Sequence, residues 1–222
     1  DDLRDRGEDM IKLIYGHERD NYPQLMDSMH RLRKLVFYDR LRWDVSVTGD
    51  WEIDAFDGED PLYVLCLDSD GRLQGSLRLL PTTGPNMLRD VFGRITAKHG
   101  AISNPMVWES SRFCFRMPGE SDQRESHVIS KATVELIAGM GEVGLLAGID
   151  HIVTVYDAFL RRIIRQAGCK EELIGETVRF GRVMTYAGLF GINPIEIDAF
   201  KRIWNLPPSL VANECRARLF AA

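Results

Sequence analysis

Hydrophobic residues recur along the chain at spacings that separate helical segments from strand-like ones. Between residues 22 and 41 the apolar side chains recur every three to four positions, which predicts an amphipathic helix. Pro23 suits the first turn of that helix. The same helical pattern is found over residues 121–147, 158–167 and 194–204.

Short runs that are rich in β-branched and aromatic residues lie between these helices. Residues 62–67 and 73–80 flank an Asp-Gly turn, and this arrangement predicts a hairpin. Further strands are predicted at residues 106–115, 149–156, 173–174 and 178–186, and a short helix at residues 87–92. Strands that alternate with helices in this way predict an α/β domain, with a mixed sheet and helices on its faces.

Two segments show no sustained period. Residues 1–20 are charged, and we interpret them as an N-terminal leader that is partly loose, followed by a single domain over residues 21–222. Residues 44–60 are acidic and contain two glycines, which predicts a long loop. Long loops in compact domains are usually functional or disordered, so this segment is a candidate for either.

The composition of the 222 residues is that of a globular protein, with 45% hydrophobic and 27% charged residues. A formal net charge of -5 gives no reason to expect nucleic-acid binding, and no apolar run reaches the roughly 18 residues that a membrane-spanning helix needs. The four cysteines are widely separated, so reduced, mostly buried thiols explain them better than a metal site. We therefore expect a cytoplasmic protein with no nucleic-acid partner, stable membrane insertion or bound metal.

Two motifs combine charged and aromatic residues. The first joins Arg33, Phe37 and Trp43, of which Arg33 and Phe37 are one helical turn apart and share a face. Taken alone, an amphipathic helix with a surface arginine explains it. The second motif, E-x-D-x-F-D, contains Asp54 and Asp57. Taken alone, a solvated acidic loop explains it equally well.

Charged residues also interrupt two strand-like segments. Arg78 lies within G-S-L-R-L, and Glu109, Ser111 and Arg112 lie within W-E-S-S-R-F. Burying an unpaired charge among apolar neighbours is costly, so these residues need an explanation. Since side chains alternate along a strand, we expect Glu109 and Ser111 on one face and Arg112 on the other unless a bulge intervenes. An internal arginine–carboxylate pair that orders the core would explain each of them.

Together these motifs resemble the acyl-homoserine-lactone synthase family, over the chain from about residue 33 to at least residue 168. The residue expected in the family stands at each charged and aromatic position of its signature. Those positions are Arg33, Phe37, Trp43, Asp54, Asp57, Arg78, Glu109 and Arg112. The resemblance implies a single domain similar to the GNAT acetyltransferases, in which a mixed sheet flanked by helices splits into a V-shaped cleft.

The resemblance also implies a reaction in two steps. The α-amine of S-adenosylmethionine would attack an acyl thioester, and its carboxylate would then attack the γ-carbon, which closes the lactone and releases methylthioadenosine. Glu109 would be the base, directly or through a water, and Arg112 and Ser111 would be further catalytic residues. S-adenosylmethionine is a substrate, and no metal or redox cofactor is implied.

The same resemblance implies a binding site for S-adenosylmethionine that consists of Arg33, Phe37, Trp43, Asp54, Asp57 and Arg78. Arg33 and Arg112 would bind the methionine carboxylate or hold the acidic loop by bidentate pairing. The aspartates would close that loop over the substrate, and the aromatic rings would face the adenine or the sulfonium. Residues 44–60 would then be mobile without substrate and ordered with it.

On the acyl side, Thr154 lies on a predicted strand. Threonine at the matching family position is associated with 3-oxo-acyl chains, but a strand residue without a ligand is an equal explanation. The acyl pocket is expected to comprise Thr154, Val153, Val155, Met140 and Phe113, which core packing would explain equally well.

A basic cluster follows, consisting of Arg161, Arg162, Arg165 and Lys170. A solvated helix face with the usual C-terminal charge bias explains it. The resemblance instead implies a dock for acidic acyl-carrier protein, and the phosphates of acyl-coenzyme A would favour the same arginines.

Two other functions are weighed against this one. The first alternative is a GNAT-type N-acyltransferase that uses acyl-CoA, although the segment before the long helix lacks the R/Q-x-x-G-x-G/A loop that holds pyrophosphate. The second is a non-catalytic regulator that senses acyl-lactones. Such regulators normally carry a helix-turn-helix module and a basic surface, and neither is apparent.

Overall fold

The structure, a computed structural model, describes residues 10–117 and 129–212 together with Arg216. Its strands are β1 (Met10–Tyr15), β2 (Val47–Thr48), β3 (Trp51–Glu52), β4 (Leu62–Leu67), β5 (Leu73–Pro81), β6 (Val107–Phe115), β7 (His151–Asp157), β8 (Glu172–Phe180) and β9 (Val183–Gly191). Seven of them form one mixed sheet in the order β1-β4-β5-β6-β7-β9-β8. The other two, β2 and β3, form a separate short hairpin.

The α-helices in this part of the chain are α1 (Pro23–Arg33), α2 (Met87–Asp90), α3 (Lys131–Ala147), α4 (Ala158–Gln166) and α5 (Pro194–Ile203). Helix α1 continues into a π-helix over Lys34–Arg40, and 3-10 helices cover Gly16–Asn21 and Ala55–Gly58. Each of α2 to α5 follows an Asn, Ser or Asp whose side-chain oxygen accepts a hydrogen bond from the first turn. Within the described residues, no helix is both long and apolar enough to cross a membrane.

Helices cover both faces of the sheet. Along β4, Leu62 and Val64 pack on the face that α3 covers, whereas Tyr63 and Leu65 pack beneath α1. This alternation follows from the strand period of two residues. Helices α4 and α5 enclose a cavity together with α3. The predicted α/β architecture with a mixed sheet is confirmed.

The sheet opens into a V-shaped cleft between β6 and β7. These strands run parallel and pair only where residues 107–110 face residues 151–154. Farther along, β6 stays paired with β5 up to Phe115, and β7 stays paired with β9 up to Asp157. The two halves of the sheet therefore diverge, and the implied V-shaped cleft is confirmed.

The prediction of a loose N-terminal leader is wrong for residues 10–20. Strand β1 pairs along its whole length with β4, and Ile11 and Ile14 are fully buried. Because both faces of this strand are covered, its apolar run lacks the alternation by which a half-buried strand is recognised. The folded domain therefore begins before residue 21, and residues 1–9 lie outside the described part of the chain.

The predicted strand over residues 178–186 is wrong as a single element. Phe180 and Val183 pair with each other across a tight turn, so the segment contributes to both β8 and β9. Gly181 lies in that turn with a φ of 56°, a conformation that favours glycine. The apolar pattern on both sides of the turn had concealed this break.

The remaining predicted elements match the structure with shifted ends. The loop predicted over residues 44–60 contains the β2–β3 hairpin and a 3-10 helix. The helix predicted over residues 121–147 is present from Lys131, and its first residues, up to 128, lie outside the described residues. Cys66 and Cys114 are buried, as expected, and Cys215 lies outside the described residues.

Candidate active site

A β-bulge in β6 brings Arg112 into the candidate site. On either side of it, Ser76 pairs with Cys114 and Arg78 pairs with Ser111, so β6 has one residue more than β5 between these pairs. Arg112 has a φ of 54°, which is uncommon for a residue other than glycine. The sequence predicted Arg112 on the face opposite Glu109 and Ser111 unless a bulge intervened, and the structure has such a bulge. Bulges are frequent beside active sites.

Three arginines and three carboxylates meet beside this bulge. We call them the arginine–carboxylate cluster, which consists of Arg33, Glu52, Asp54, Asp57, Arg78 and Arg112. Arg33 donates to both oxygens of Asp57 at 2.8 and 2.9 Å and to Glu52 at 2.6 Å. Arg78 donates to both oxygens of Asp54 at 2.5 and 3.0 Å and to Asp57 at 2.9 Å. The two guanidiniums therefore share Asp57.

Arg112 joins the cluster to the cleft. Its Nε donates to Glu52 at 3.0 Å, and its Nη2 lies 2.8 Å from both Glu52 and Asp54. Its Nη1 donates to the sulfur of Met87 at 3.3 Å, and a thioether is a weak acceptor. The guanidinium also lies 5.3 Å from the centroid of the Phe37 ring. Nη1 is therefore the part of Arg112 that is bound least strongly.

The cluster balances three positive charges with three negative ones in a dry environment. Glu52 and Arg78 are fully buried, and Arg33 is 1% exposed. Burial of charges at this depth is tolerated only when each is paired and hydrogen-bonded. Glu52 was missing from the predicted site, although it begins the E-x-D-x-F-D motif, which was the available signal.

The acidic loop takes its shape from members of this cluster. Asp54 caps the 3-10 helix and accepts the backbone N–H of Phe56 at 2.9 Å, while Asp57 accepts the backbone N–H of Asp54 at 2.9 Å. These reciprocal bonds form a capping box. The expectation that the loop orders only with substrate stays a prediction.

Neighbouring charges keep Asp57 ionised. Burial by itself raises the pKa of this carboxyl, but Arg33 and then Arg78 outweigh it, so the pKa lies well below its usual range. The hydroxyl of Tyr63 donates to Asp57 at 3.0 Å. Burial, followed by the charge of Asp57, raises the pKa of Tyr63, so that hydroxyl remains a donor.

Glu109 lies in the cleft beside the first turn of α2. Its two carboxylate oxygens accept the backbone N–H groups of Met87 and Leu88 at 2.9 and 2.5 Å. The side chain is 1% exposed, and burial raises the pKa of Glu109, an effect that the two amide bonds only partly offset. A carboxylate with a raised pKa is a better proton acceptor than an ordinary one.

Phe37 and Trp43 form an aromatic wall of the cleft. Their ring centroids lie 6.1 Å apart, and Trp43 meets Phe92 edge-on at 6.2 Å. The backbone N–H of Trp43 donates to the Phe37 carbonyl at 2.9 Å, which fixes the chain where it leaves the π-helix. The indole Nε1 of Trp43 is buried and has no hydrogen-bond partner among the described residues, so it is available to a ligand.

Only some of the predicted residues reach the cleft. Its lining includes Phe37, Trp43, Met87, Phe92, Glu109, Ser111, Arg112 and Val155. Arg33, Asp57 and Arg78 are at most 3% exposed and lie behind that lining. In this geometry they hold Arg112 in place through the shared carboxylates.

An apolar cavity of about 290 Å³ lies among α3, α4 and α5. Its lining includes Ile137, Met140, Gly141, Ile164, Phe190, Ile197 and Phe200. The cavity and the cleft have four lining residues in common, namely Ser110, Phe113, Thr154 and Leu160. The cleft and the apolar cavity therefore adjoin along these residues.

Two of the residues predicted for the acyl pocket lie on the opposite side of β7. Ile152 and Thr154 point into the cavity, so strand alternation directs Val153 and Val155 the other way. Val153 is fully buried in the cluster that contains Met87, and Val155 lines the cleft. Val153 and Val155 therefore do not line this cavity, whereas Thr154, Met140 and Phe113 do. The role of all five in acyl binding stays a prediction.

The predicted basic cluster divides into two parts. Arg161, Arg162 and Arg165 line an open groove of about 450 Å³ beside Tyr186. Arg161 donates to Glu171 at 2.8 Å and lies 4.7 Å from the centroid of the Tyr186 ring, while Arg162 and Arg165 are exposed. Lys170 lies apart from this groove, at the rim of the apolar cavity.

Comparison with known proteins places these features in one family. The profile of the autoinducer synthase family matches residues 17–200. An acyl-homoserine-lactone synthase from Agrobacterium fabrum strain C58 is 36% identical over 178 residues, which cover 80% of this chain and 84% of that protein. The matched range contains the whole arginine–carboxylate cluster and the cleft.

Solved structures show the same fold. A CoA-dependent acyl-homoserine lactone synthase, BjaI, solved with S-adenosylmethionine and isopentyl-CoA, superposes with a TM-score of 0.79 at 25% identity, over 97% of this chain and 100% of that chain. An N-acetyltransferase assigned in Lactobacillus plantarum is similar in fold alone, with a TM-score of 0.53 at 14% identity, over 83% of this chain and 99% of that chain. The expected likeness to acetyltransferases is confirmed at the level of the fold.

Proposed function

The chain belongs to the autoinducer synthase family and is an acyl-homoserine-lactone synthase, and from this premise we propose how it uses its two substrates. S-adenosylmethionine binds in the cleft, and the acyl chain of a thioester enters the apolar cavity. The observation that carries this proposal is the junction of the two spaces at Ser110, Phe113, Thr154 and Leu160. The thioester carbonyl would lie at that junction, beside the amine that attacks it.

Arg112 and the aromatic wall bind S-adenosylmethionine. The substrate carboxylate replaces the Met87 sulfur on Nη1 of Arg112, because a carboxylate is a far better acceptor than a thioether. The sulfonium faces Phe37 and Trp43, since cations are attracted to aromatic faces. The unpartnered indole N–H of Trp43 supplies a further hydrogen bond to the ligand.

The first step forms an amide bond. The α-amine of the substrate titrates near pH ~8, so a modest base suffices to make it neutral. Glu109 accepts the proton directly or through a water, while the nitrogen attacks the thioester carbonyl and the thiolate leaves. Ser111, which accepts a hydrogen bond from Arg78 at 3.1 Å, lies beside the reacting groups. Backbone amides of β6 and β7, where these strands no longer pair, hold the developing oxyanion.

The second step closes the lactone. A carboxylate oxygen of the substrate attacks its γ-carbon, the carbon–sulfur bond breaks, and methylthioadenosine leaves with the bonding electrons. The sulfonium is already a good leaving group, so the protein contributes mainly a folded substrate conformation. S-adenosylmethionine is consumed as a substrate, and the two steps as written need no metal or redox cofactor.

Acyl-carrier protein is the proposed acyl donor. Arg162 and Arg165 present exposed positive charge on α4, a helix that also contributes to the lining of the cleft, and carrier proteins offer an acidic surface. Acyl-CoA is the second candidate, because its phosphates fit the same arginines and because BjaI was solved with isopentyl-CoA. Thr154 lines both the cleft and the cavity, and its hydroxyl would bond the keto oxygen of a 3-oxo-acyl chain.

The test is a matrix of donors that crosses carrier-protein and CoA thioesters with a series of chain lengths. The protein is incubated with S-adenosylmethionine and each donor, and the products are identified by mass spectrometry. We expect acyl-homoserine lactone and methylthioadenosine in equal amounts. An open-chain N-acylated product without methylthioadenosine would favour the GNAT-type N-acyltransferase instead.

A further inference from the structure

An exposed ion pair lies at the rim of the apolar cavity. Lys170 Nζ is 2.7 Å from Glu196 Oε1, and both side chains belong to the cavity lining. Lys170 follows the end of α4, and Glu196 lies in the first turn of α5. The pair therefore joins the segment that follows α4 to the first turn of α5.

The chain topology places this pair at the end of the cavity remote from the cleft. Cavity and cleft meet at Thr154, and β7 begins three residues earlier at His151, a distance of roughly 10 Å along the strand. Gly191 pairs with His151, and α5 starts just after it. Helix α4 starts at the opposite end of β7, and Ala167, which follows its last residue, lines the cavity together with Gly191, so the helix runs back along the strand.

The space between these two ends suits an acyl chain of limited length. A water-sized group occupies about 30 Å³, so a cavity of about 290 Å³ holds on the order of ten chain atoms. Each methylene that leaves water for such a cavity strengthens binding by roughly a factor of four. A longer chain would have to push its methyl end against the Lys170 and Glu196 head groups.

We propose that the Lys170–Glu196 ion pair is a gate at the distal end of the acyl cavity and sets the longest acyl chain that the enzyme uses well. The inference rests on the proposed function, since it requires the acyl chain to occupy the cavity. Lys170 belongs to the cavity lining, and its ammonium group pairs with Glu196 at the rim. Exposed ion pairs are weak, so the gate lowers kcat/KM for longer chains and does not exclude them.

The variant Glu196→Ala tests the gate, and the protein offers a matched control. Lys98 and Glu176 form a second exposed pair at 2.6 Å, with side-chain exposures of 70% and 52%, compared with 83% and 51% for Lys170 and Glu196. Neither Lys98 nor Glu176 lines the cavity. The full chain and its variants are compared by kcat/KM over a homologous series of acyl donors.

We expect Glu196→Ala to raise kcat/KM about fourfold or more for chains longer than the cavity and to leave shorter chains unchanged. Glu176→Ala should leave the whole profile unchanged. Lys170→Met, which retains the apolar stem and removes the charge, should reproduce the profile of Glu196→Ala. Because Lys170→Met leaves α5 unaltered, it tests the gate even if Glu196→Ala disturbs that helix.

A profile that stays unchanged in both gate variants, or that changes equally for every chain length, would overturn the gate. If the unmodified protein produces lactone in that experiment, the proposed function still stands. If the unmodified protein produces lactone from none of the donors, the proposed function and the gate both fail. The two failures are therefore distinguishable in one data set.

Discussion

The arginine–carboxylate cluster and the apolar cavity both adjoin the cleft. Paired charges make up the cluster, whereas apolar side chains line the cavity. In the cluster, each of three buried arginines is bonded to at least two carboxylates, and little space is left. The cavity is a space of about 290 Å³ with mostly apolar walls and an exposed rim. The difference matches the substrates, because S-adenosylmethionine is invariant and needs fixed charges, whereas acyl chains vary and need volume.

Replacing Glu109 should have the largest effect on activity. Glu109→Gln retains an oxygen for one α2 amide but cannot take a proton from the amine, so lactone formation should fall by about 10²–10⁴-fold. The measurement is kcat/KM for S-adenosylmethionine at saturating acyl donor. Glu172→Gln, at an exposed position on β8, is the control and should leave the rate unchanged. Activity near that of the unmodified protein would remove Glu109 from the proposed base role.

Replacing Arg78, which lies behind the lining of the cleft, should reduce stability as well as activity. Arg78→Met leaves Asp54 without its bidentate partner in the protein interior, and loss of one partner of a buried pair costs about 3–5 kcal/mol. Chemical denaturation measures this change, and Arg179→Met on the exposed side of β8 should leave the free energy of unfolding nearly constant. A stable but inactive Arg78→Met protein would instead indicate direct contact with substrate.

The cluster should also give the protein a defined pH dependence. The pKa of Asp57 is lower in the folded protein than in the unfolded chain, so its stabilisation is fully present above the unfolded value near pH ~4. That stabilisation is lost as the pH falls from there toward the folded value. The difference in free energy of unfolding between Asp57→Asn and the unmodified protein should therefore shrink below about pH 4. A difference that stays constant between neutral and acidic pH would contradict the assignment.

Charge reversal in the basic groove should change donor recognition alone. Arg162→Glu combined with Arg165→Glu should raise the KM for carrier-protein donors by about tenfold and leave kcat nearly unchanged, because surface charge acts mainly on association. Arg179→Glu with Arg182→Glu, at the tip of the β8–β9 hairpin, is the matched control. An equal KM in both double variants would place the dock elsewhere.

The smallest expected effect concerns the junction of cleft and cavity. Thr154→Val preserves the shape of the side chain and removes its hydroxyl. One neutral hydrogen bond contributes about 0.5–1.5 kcal/mol, so the preference for 3-oxo over unsubstituted chains should fall roughly two- to tenfold. Competition between the two donors in one reaction measures the ratio. An unchanged ratio would leave Thr154 as a packing residue of β7.

The residues of the charged half were named from the sequence through the resemblance to the family. Each charged motif taken alone had an ordinary explanation, and the joint spacing of the motifs indicated one site. Apolar residues pack in cores and in ligand cavities alike, so Val153 could not be distinguished from Thr154 until the faces of β7 were known. The register between β5 and β6 could not be predicted from the sequence either. The bulge that brings Arg112 into the cluster with Arg78 became evident only in the structure.

Other differences follow from the same limits. Strand β1 was missed because both of its faces are buried, and the turn at Gly181 was missed because apolar residues lie on both sides of it. The sequence also could not show that Arg33 and Arg78 lie behind the lining of the cleft. Depth of burial depends on which elements cover a residue, and that is a property of the assembled sheet and helices.

One labelling measurement tests the central claim most directly. The protein is incubated with an acyl donor and S-adenosylmethionine that carries oxygen-18 at both carboxylate positions, and the lactone is analysed by mass spectrometry. If the carboxylate attacks the γ-carbon in the cleft, the lactone retains both labels and appears in equal amount with methylthioadenosine. A lactone that retains a single label would show that water opened the sulfonium first, and that result would contradict the account.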